Sequence, residues 1–299
     1  MFIPTISKKA KCLFMCIFIG IGSLPFNAVA TNNLLKVRYN QFTLFENDST
    51  QQYFSSLLSL ALDETKDDFG PYQLLPINIH MVQQRTISML QANEFIDVMW
   101  TVTSNEREKS MLAVYIPLLK GLMGNRIFLI RKNEQYRFDD IKTLDDLALL
   151  TAGQGDSWPD TQVIKSNHIP VQTAKGELLY NMLAKKRFDY FPRAVTEIKK
   201  EITQYSEFSI ENNLMLSYLS PIYFFVSKDN PQLAKRIETG LLRAVDNGRF
   251  DKLFQTSNNI EYLNKQLKLD KRRVLKLTSN IVSDKTKAIE TDTRLWFFH

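Results

Sequence analysis

The sequence predicts a mixed α/β fold built from two α/β halves. Strand-like and helix-like stretches alternate through most of the chain, which favours helices layered on sheets. The alternation begins near residue 34 and begins again near residue 126. Apolar strands near 126 and 222 would connect the two halves.

In the first half, three predicted strands alternate with two predicted helices. A cluster of Asp, Ser and Thr marks the start of the first helix, and its apolar residues share one face. The five elements occupy residues 34–39, 47–64, 72–79, 81–94 and 95–100. Strands and helices in this order build a parallel sheet, and ligands bind beyond the carboxyl ends of such strands.

The second half repeats the alternation, with clear helix signals. Thr143 stands three residues before Asp146, which is a capping pattern, and Pro159 suits the first turn of a helix. The predicted elements lie, in chain order, at 126–132, 148–160, 175–187, 188–192, 194–202, 221–229 and 230–254. The pattern therefore predicts a second α/β unit, followed by a return to the first.

The first thirty residues predict a secretory signal peptide. A basic start with Lys8, Lys9 and Lys11 precedes a short apolar stretch at 12–24, and the small-residue sequence "AVA" ends at Ala30. The apolar stretch is short for a membrane-spanning helix, and an uncleaved anchor is the alternative. We expect cleavage after Ala30 and export to the periplasm.

Removal of this segment lowers the net charge and removes both cysteines. The segment holds three lysines and no acid, so basic residues fall from 38 to 35 against 32 acids and the net charge falls from +6 to +3. This charge gives no indication of nucleic-acid binding. The three histidines are scattered, and no zinc, phosphate-loop or serine-hydrolase motif occurs. We therefore expect no metal, no cofactor and no enzymatic activity.

A dense group of hydrogen-bonding side chains follows the third predicted strand. The segment "MWTVTSNERE" at 99–108 changes abruptly from apolar residues to hydroxyl, amide and charged side chains. Its position just past a strand end is where α/β sheets bind ligands. Two interpretations stay open, a solvated turn and a pocket for an anion.

Two longer segments resemble the type II periplasmic solute-binding proteins, in particular the amino-acid-type group called family 3. "DVMWTVTSNEREKSMLAVYIPLL" at 97–119 resembles the family pattern "DxxxxxTxTxxRxxxxxFSxPY". "YFFVSKDNPQLAKRIETGLLRAVDNGRFDKLF" at 223–254 resembles its last strand and helix, with "K-x-N-P-x-L" and "G-x-[FY]-D-K-[IL]". Together the matches cover residues 34–255.

This resemblance implies an α/β fold of two lobes that close on a ligand about two hinge strands. A discontinuous first lobe would comprise 31–125 and 221–299, including a basic tail at 256–299, and the second lobe 126–220. Between 265 and 287 the tail holds eight basic and two acidic side chains. It predicts a helix on the first lobe, either with a solvated face or with a basic patch for a membrane partner.

The resemblance also implies ligand-binding residues in the first lobe. Arg107 matches the arginine that holds the ligand carboxylate in this family, and a planar guanidinium suits that task. The alternative for Arg107 is an exposed ion pair with Glu106 or Glu108. The further candidates are Thr101, Thr103, Tyr39 and Phe45. The two threonines match the family pattern only with a one-residue insertion before Arg107, and packing is the alternative for the two aromatic residues.

In the second lobe, the turn "GQGDSW" at 153–158 matches a Gly-rich turn at a helix start, where free N–H groups favour an anion. Helix capping by the aspartate and packing of the tryptophan are the alternatives. The candidates in this turn are Gly155, Asp156, Ser157 and Trp158. In "FDYFPRAV" at 188–195, Arg193 stands where amino-acid binders carry an aspartate for the ligand ammonium. An inward Arg193 would favour a more anionic ligand or one without an amine, and an outward Arg193 would be a solvated charge.

These features predict a periplasmic protein that captures a small, carboxylate-bearing solute for a membrane partner. The partner would be an inner-membrane ABC permease or a sensor protein, and we expect a monomer that binds no nucleic acid. Two alternatives stay open. One is an interaction protein whose trap no longer binds solute. The other is a dehydratase-like enzyme on the same fold, with Glu46, Asp48 or Asp156 as its acid or base.

Overall fold

The computed structural model describes residues 1–2, 34–41, 49–79, 81–258 and 265–297. The predicted signal peptide beyond Phe2 lies outside these residues, and so do Phe45, Glu46 and Asp48. Among the described residues, no helix combines the length and the apolar composition needed to cross a bilayer.

Two five-stranded sheets and one two-stranded sheet organise the described residues, with helices packed on them. The strands are β1 (Leu35–Asn40), β2 (Tyr72–Ile77), β3 (Val98–Val102), β4 (Leu112–Val114), β5 (Asn125–Arg131), β6 (Ala152–Gly155), β7 (Val171–Ala174), β8 (Phe191–Ala194), β9 (Phe208–Ile210), β10 (Leu214–Ser217), β11 (Ile222–Val226) and β12 (Arg273–Lys276). The helices are α1 (Ser49–Asp63), α2 (Lys66–Phe69), α3 (Gln83–Gln91), α4 (Asn105–Ser110), α5 (Leu144–Leu147), α6 (Pro159–Ser166), α7 (Gly176–Ala184), α8 (Ile198–Gln204), α9 (Pro231–Asp246) and α10 (Arg249–Asn258), with a last short helix at Asp284–Ala288. The predicted mixed α/β class is confirmed.

The first sheet has the strand order β2-β1-β3-β11-β4. β1 lies between β2 and β3 and is parallel to both, whereas β11 pairs antiparallel with β3 and β4. The carboxyl ends of the three parallel strands therefore meet at one edge, and α4 follows directly from the end of β3. Helices α1 and α9 pack closely together, since a Cβ on Gly240 would lie 1.8 Å from the Ala61 carbonyl oxygen.

The second sheet has the order β12-β10-β5-β8, and β9 also pairs with β5. β8 covers Phe191–Ala194 instead of the predicted 188–192, so Pro192 and Arg193 lie inside the strand. Pro192 is tolerated there because β8 is the last strand of this sheet, where a missing backbone N–H costs little. The core under the second sheet includes Phe128 and Tyr190, whose rings lie 4.6 Å apart.

The C-terminal segment differs from the predicted helix on the first lobe. Residues 273–276 form β12, which pairs parallel with β10 in the second sheet. Leu275 and Leu277 are buried in the apolar cluster of that sheet. The lobe boundaries themselves stay a prediction. The tail was assigned to the first lobe, but its strand β12 belongs to the second sheet.

Candidate functional site

The segment after β3 folds into α4 and carries Arg107 in its first turn. The Ser104 Oγ caps the helix by accepting a hydrogen bond from the Arg107 backbone N–H at 3.3 Å. Burial lowers the pKa of the Arg107 guanidinium, and the carboxylate of Asp160 at the start of α6 partly offsets this effect. Arg107 is therefore partly withdrawn from water.

Hydrogen bonds to the first sheet and α3 hold one side of the Arg107 guanidinium. The Nη1 donates to the Thr101 Oγ1 at 2.7 Å and to the Val102 carbonyl oxygen, and the Nη2 donates to the Gln83 Oε1 at 2.7 Å. The Gln83 Nε2 donates in turn to the Thr101 Oγ1 at 3.0 Å. Among the described residues, none accepts a hydrogen bond from the Arg107 Nε. The Nε–H and one Nη2–H thus form an edge that a planar anion can occupy.

Glu108 takes part in a different network from Arg107. Its Oε1 accepts hydrogen bonds from the Thr103 hydroxyl at 2.6 Å and the Thr286 hydroxyl at 2.9 Å, and its Oε2 accepts one from Tyr115 at 2.9 Å. Within the described part of the chain, Arg107 forms no ion pair with either neighbouring glutamate. The structure thus brings Thr101 to the guanidinium and places Thr103 on the glutamate.

A pocket of about 180 Å³ lies at the carboxyl edge of the parallel strands. Its lining comprises Asn40, Gln51, Met81, Gln83, Thr86, Met99 and Trp100. None of these side chains carries a formal charge. The Oε1 of Gln51 is buried and accepts no hydrogen bond from any described residue. A buried acceptor of this kind is stabilised when a bound molecule supplies an N–H or O–H donor.

The turn at 153–158 is closely packed. A Cβ on Gly155 would lie 2.4 Å from the Trp158 indole, so the turn requires glycine at this position. The indole stacks on Phe191, with ring centroids 6.2 Å apart and an interplanar angle of 12°. The backbone N–H of Asp156 donates to a β7 carbonyl oxygen at 3.1 Å, and the side chains of Asp156 and Ser157 are exposed. Trp158 therefore packs against the second half of the fold.

An acidic side chain already occupies the start of α6. The Asp160 Oδ1 accepts hydrogen bonds from the Arg126 Nη2 at 2.6 Å and the Tyr218 hydroxyl at 2.7 Å, and Ser220 lies 3.3 Å away. All four residues are buried. Arg126 lies in β5 and Tyr218 directly follows β10, so the network joins these two neighbouring strands to α6. A second anion at this helix start would meet a like charge.

Arg193 forms buried ion pairs inside β8. Its Nε donates to both carboxylate oxygens of Glu201 at 2.7 and 2.9 Å, and its Nη2 lies 3.0 Å from Glu197. The guanidinium also lies 5.0 Å from the ring centroid of Trp158 and 4.8 Å from that of Phe191. Burial lowers the pKa of Arg193, but the charges of Glu197 and Glu201 raise this pKa by a larger amount. The pKa is therefore above its ordinary value, and the side chain stays charged. The charge is therefore not solvated, which contradicts the outward alternative, and the selection of ligand charge by Arg193 stays a prediction.

Tyr39 and Phe45 are the remaining candidates predicted for the first lobe. Tyr39 is buried, its hydroxyl lies 3.4 Å from the Gln41 Oε1, and its ring packs 5.8 Å from Trp100. Phe45 lies outside the described residues. No group of three or more metal-ligating side chains occurs in the described ranges.

Sequence reasoning missed the two glutamines at this edge. Gln51 lies in the first turn of α1 and Gln83 begins α3, the helices that follow β1 and β2. Their place after the carboxyl ends of parallel strands was the available signal. An amide belongs to no catalytic or metal-binding motif, so the residue type gave no further indication.

No family model matches the chain, and no curated protein matches its sequence. Solved structures do match its fold. An arginine-specific periplasmic binding protein of Salmonella typhimurium is 13% identical with a TM-score of 0.53, over 74% of this chain and 98% of that chain. A probable amino-acid ABC transporter extracellular-binding protein of Bacillus subtilis is 16% identical with a TM-score of 0.53, over 75% and 97%. An ancestral amino-acid-binding protein, a precursor of cyclohexadienyl dehydratase, is 16% identical with a TM-score of 0.51, over 74% and 94%.

These matches concern the fold, because the sequence identities are low. They extend over nearly the full length of each neighbour and three quarters of this chain. Most of the structures are binding proteins by name, and one is the precursor of an enzyme. The chain therefore has the two-lobe α/β fold of the amino-acid-type periplasmic binding proteins, as the sequence resemblance predicted.

Proposed function

We propose that the protein binds a small solute by its carboxylate, between the two halves of the fold, in the periplasm. The observation that carries the proposal is the guanidinium edge of Arg107 whose Nε donates to none of the described residues. A guanidinium presents paired donors that match a carboxylate, and partial burial strengthens such a contact. Solute-binding proteins with the same fold are consistent with this role.

The arginine is held in place before any ligand arrives. Thr101 and Gln83 form a closed ring of hydrogen bonds with its Nη atoms, which fixes the plane of the guanidinium. A side chain that is already ordered loses little conformational entropy on binding. The proposed contact therefore needs no rearrangement of Arg107.

The rest of the ligand should be uncharged and should carry a hydrogen-bond donor. The pocket beside Gln83 has amide, hydroxyl, thioether and indole groups on its wall, and no described residue donates a hydrogen bond to the Gln51 Oε1. A second charge in such a pocket would be desolvated without a partner, which is costly. The other arginine among the sequence candidates, Arg193, is neutralised by Glu197 and Glu201.

Replacement of Arg107 by alanine tests the proposal. Loss of a buried charge-assisted contact should cost about 2–5 kcal/mol, which weakens binding about 30-fold to 4,000-fold. The measurement is calorimetric titration with ligands found in a thermal-shift screen of neutral monocarboxylates, amino acids, dicarboxylates and amines. We expect hits among monocarboxylates with neutral polar substituents.

The control is Arg85→Ala, which removes an exposed arginine from α3, the helix that also supplies Gln83. It should leave affinity unchanged, and both variants should unfold cooperatively. Equal affinity of Arg107→Ala and the parent protein would remove Arg107 from the site. Hits confined to amines without a carboxylate would contradict the ligand class.

We also propose that the exported protein acts as a monomer and delivers its ligand to a membrane partner. The partner is an inner-membrane ABC permease or a sensor protein. Amino-acid ABC transporters are the systems named for the neighbouring structure from Bacillus subtilis, which supports the first of these.

A further inference from the structure

The C-terminal residues 265–297, here called the C-terminal strap, are anchored in the second sheet by a strand. β12 pairs with the whole of β10, from Leu214 opposite Arg273 to Ser217 opposite Lys276. Just before β12, Arg272 is buried, and its guanidinium donates to the backbone carbonyls of Leu267, Glu211 and Leu214 at 2.8, 2.6 and 2.9 Å. Parallel pairing and a buried guanidinium make this end of the strap a firm attachment.

The C-terminal strap then crosses to the first half of the fold within a few residues. The Leu277 N–H still bonds to β10, at 2.9 Å from the Ser217 carbonyl oxygen. Four residues later, the carbonyl oxygen of Ile281 accepts a hydrogen bond from the Asn105 N–H at the start of α4, at 2.6 Å. Four extended residues reach about 14 Å at most. The crossing is therefore short.

The half-buried carboxylate of Glu108 in α4 receives the other end of the strap. The Thr286 hydroxyl donates to the Glu108 Oε1 at 2.9 Å, and the Tyr223 hydroxyl of β11 donates to Thr286 at 3.2 Å. Thr286 is fully buried. Farther along, the Phe297 N–H donates to the Lys120 carbonyl oxygen at 2.9 Å. The strap is thus fixed to the second sheet at one end and to the first sheet and α4 at the other.

We propose that the C-terminal strap restrains the opening of the two halves of the fold and holds α4 in place, with Glu108 as the positioning residue for Arg107. The six-residue α4 is too short to be stable by its own backbone hydrogen bonds. Its position is set by Ser104, by the Ile281 carbonyl and by the contacts of Glu108. Separation of the halves beyond the reach of residues 277–281 requires either the β12 pairing or the hydrogen bond between Asn105 and Ile281 to break, and a larger separation requires the contact of Thr286 with Glu108 to break as well.

The restraint can be measured without a ligand. The mature chain predicted by the sequence has no cysteine, so two introduced cysteines would be the only labelling sites. We suggest exposed Gln73 on β2 and exposed Lys132 after β5, one on each side of the molecule. Pulsed electron-spin resonance between nitroxides at these sites gives the distribution of distances between the two sheets.

The strap is cut after folding, at a protease site made by substituting residues 278–280, so that the length of the crossing is unchanged. Cleavage of the folded protein avoids a failure to fold, and the uncut substituted protein is the control. We expect cleavage to broaden the distance distribution and shift it to longer distances. Identical distributions before and after complete cleavage would overturn the restraint.

The positioning role is tested by Thr286→Val, which keeps the shape of the side chain and removes the hydroxyl. A matched control is Thr203→Val, at an exposed threonine of α8. Thr286→Val should weaken ligand binding about tenfold, the loss expected for one hydrogen bond to a charged group, and should broaden the distance distribution as cleavage does. Unchanged affinity would overturn the positioning role.

This second arm rests on the proposed function, but the first does not. If no carboxylate binds the parent protein while cleavage still separates the halves, the proposed ligand is wrong and the restraint stands. If carboxylates bind with equal affinity to the parent, the cut protein and Thr286→Val, the ligand stands and the positioning role is overturned.

Discussion

Replacement of Arg193 by methionine should destabilise the protein by about 3–5 kcal/mol, the usual cost of leaving one partner of a buried ion pair without its counter-charge. The Arg193 side chain is 10% exposed and that of Glu201 is 11% exposed, and the Nη2 and Oε1 atoms are 2.6 Å apart. Methionine fills much of the volume but leaves the Glu201 carboxylate buried without this counter-charge. Loss of the cation–π contacts adds about 0.5–2 kcal/mol.

The assay is urea unfolding followed by circular dichroism at neutral pH. A double variant, Arg193→Met with Glu201→Leu, removes both charges and should recover most of the loss, because an apolar pair of similar volume often equals a buried ion pair. Arg187→Met is the matched control at an exposed arginine just before β8, and should change stability by less than about 0.5 kcal/mol.

A loss below about 1 kcal/mol for Arg193→Met would place Arg193 in a far more solvated environment than the structure does. A shift in ligand charge preference without loss of stability would support the sequence-based hypothesis that Arg193 selects ligand charge. A large loss of stability that the double variant recovers would support the structural role.

Two further predictions concern stability. Gly240→Ala should lower the free energy of unfolding in urea by about 1–3 kcal/mol or more. The added Cβ would lie 1.8 Å from the Ala61 carbonyl oxygen and force α1 and α9 apart. Stability equal to that of the parent protein would contradict this packing. Hydrogen bonds from Arg131 lower the pKa of Glu134. The ionised Glu134 therefore contributes to the free energy of unfolding at neutral pH, and this contribution is lost as the pH falls through the folded-state pKa of Glu134. Glu134→Gln should therefore lower stability at pH 7 and have little effect near pH 2, and an equal loss at both pH values would show that the charge is not the cause.

The alternation of strands and helices was predictable because each element carries its own periodicity. Errors occurred where a local conformation competes with the apolar pattern. Phe95 begins the apolar run predicted as a strand, yet it adopts a positive φ of 58° and is 56% exposed, and β3 begins only at Val98. β12 was missed because its pairing with β10 depends on contacts between residues distant in sequence, which no local pattern reveals.

The candidate site was predictable to the extent that it follows one strand end. The position of Arg107 after β3 and its contact with Thr101 follow from the sequence motif and the topology. The environment of Arg193 could not be inferred in the same way. Pro192 suggested the end of a strand, but an edge strand accepts proline, so β8 continues and its arginine enters a buried pair with Glu201.

The adjacent charges of Arg107 and Glu108 show why their sequence pattern was ambiguous. A run of alternating charges on a short helix usually marks a solvated face. Successive residues of an α-helix point about 100° apart, so the two side chains leave α4 on different sides. The arginine is directed to Thr101 and Gln83, and the glutamate to Thr286 of the C-terminal strap. Because Arg107 and Glu108 are adjacent in α4, a shift of the strap that moves the carboxylate should also move the guanidinium, so ligand binding should change the position of the strap and the strap should change ligand affinity.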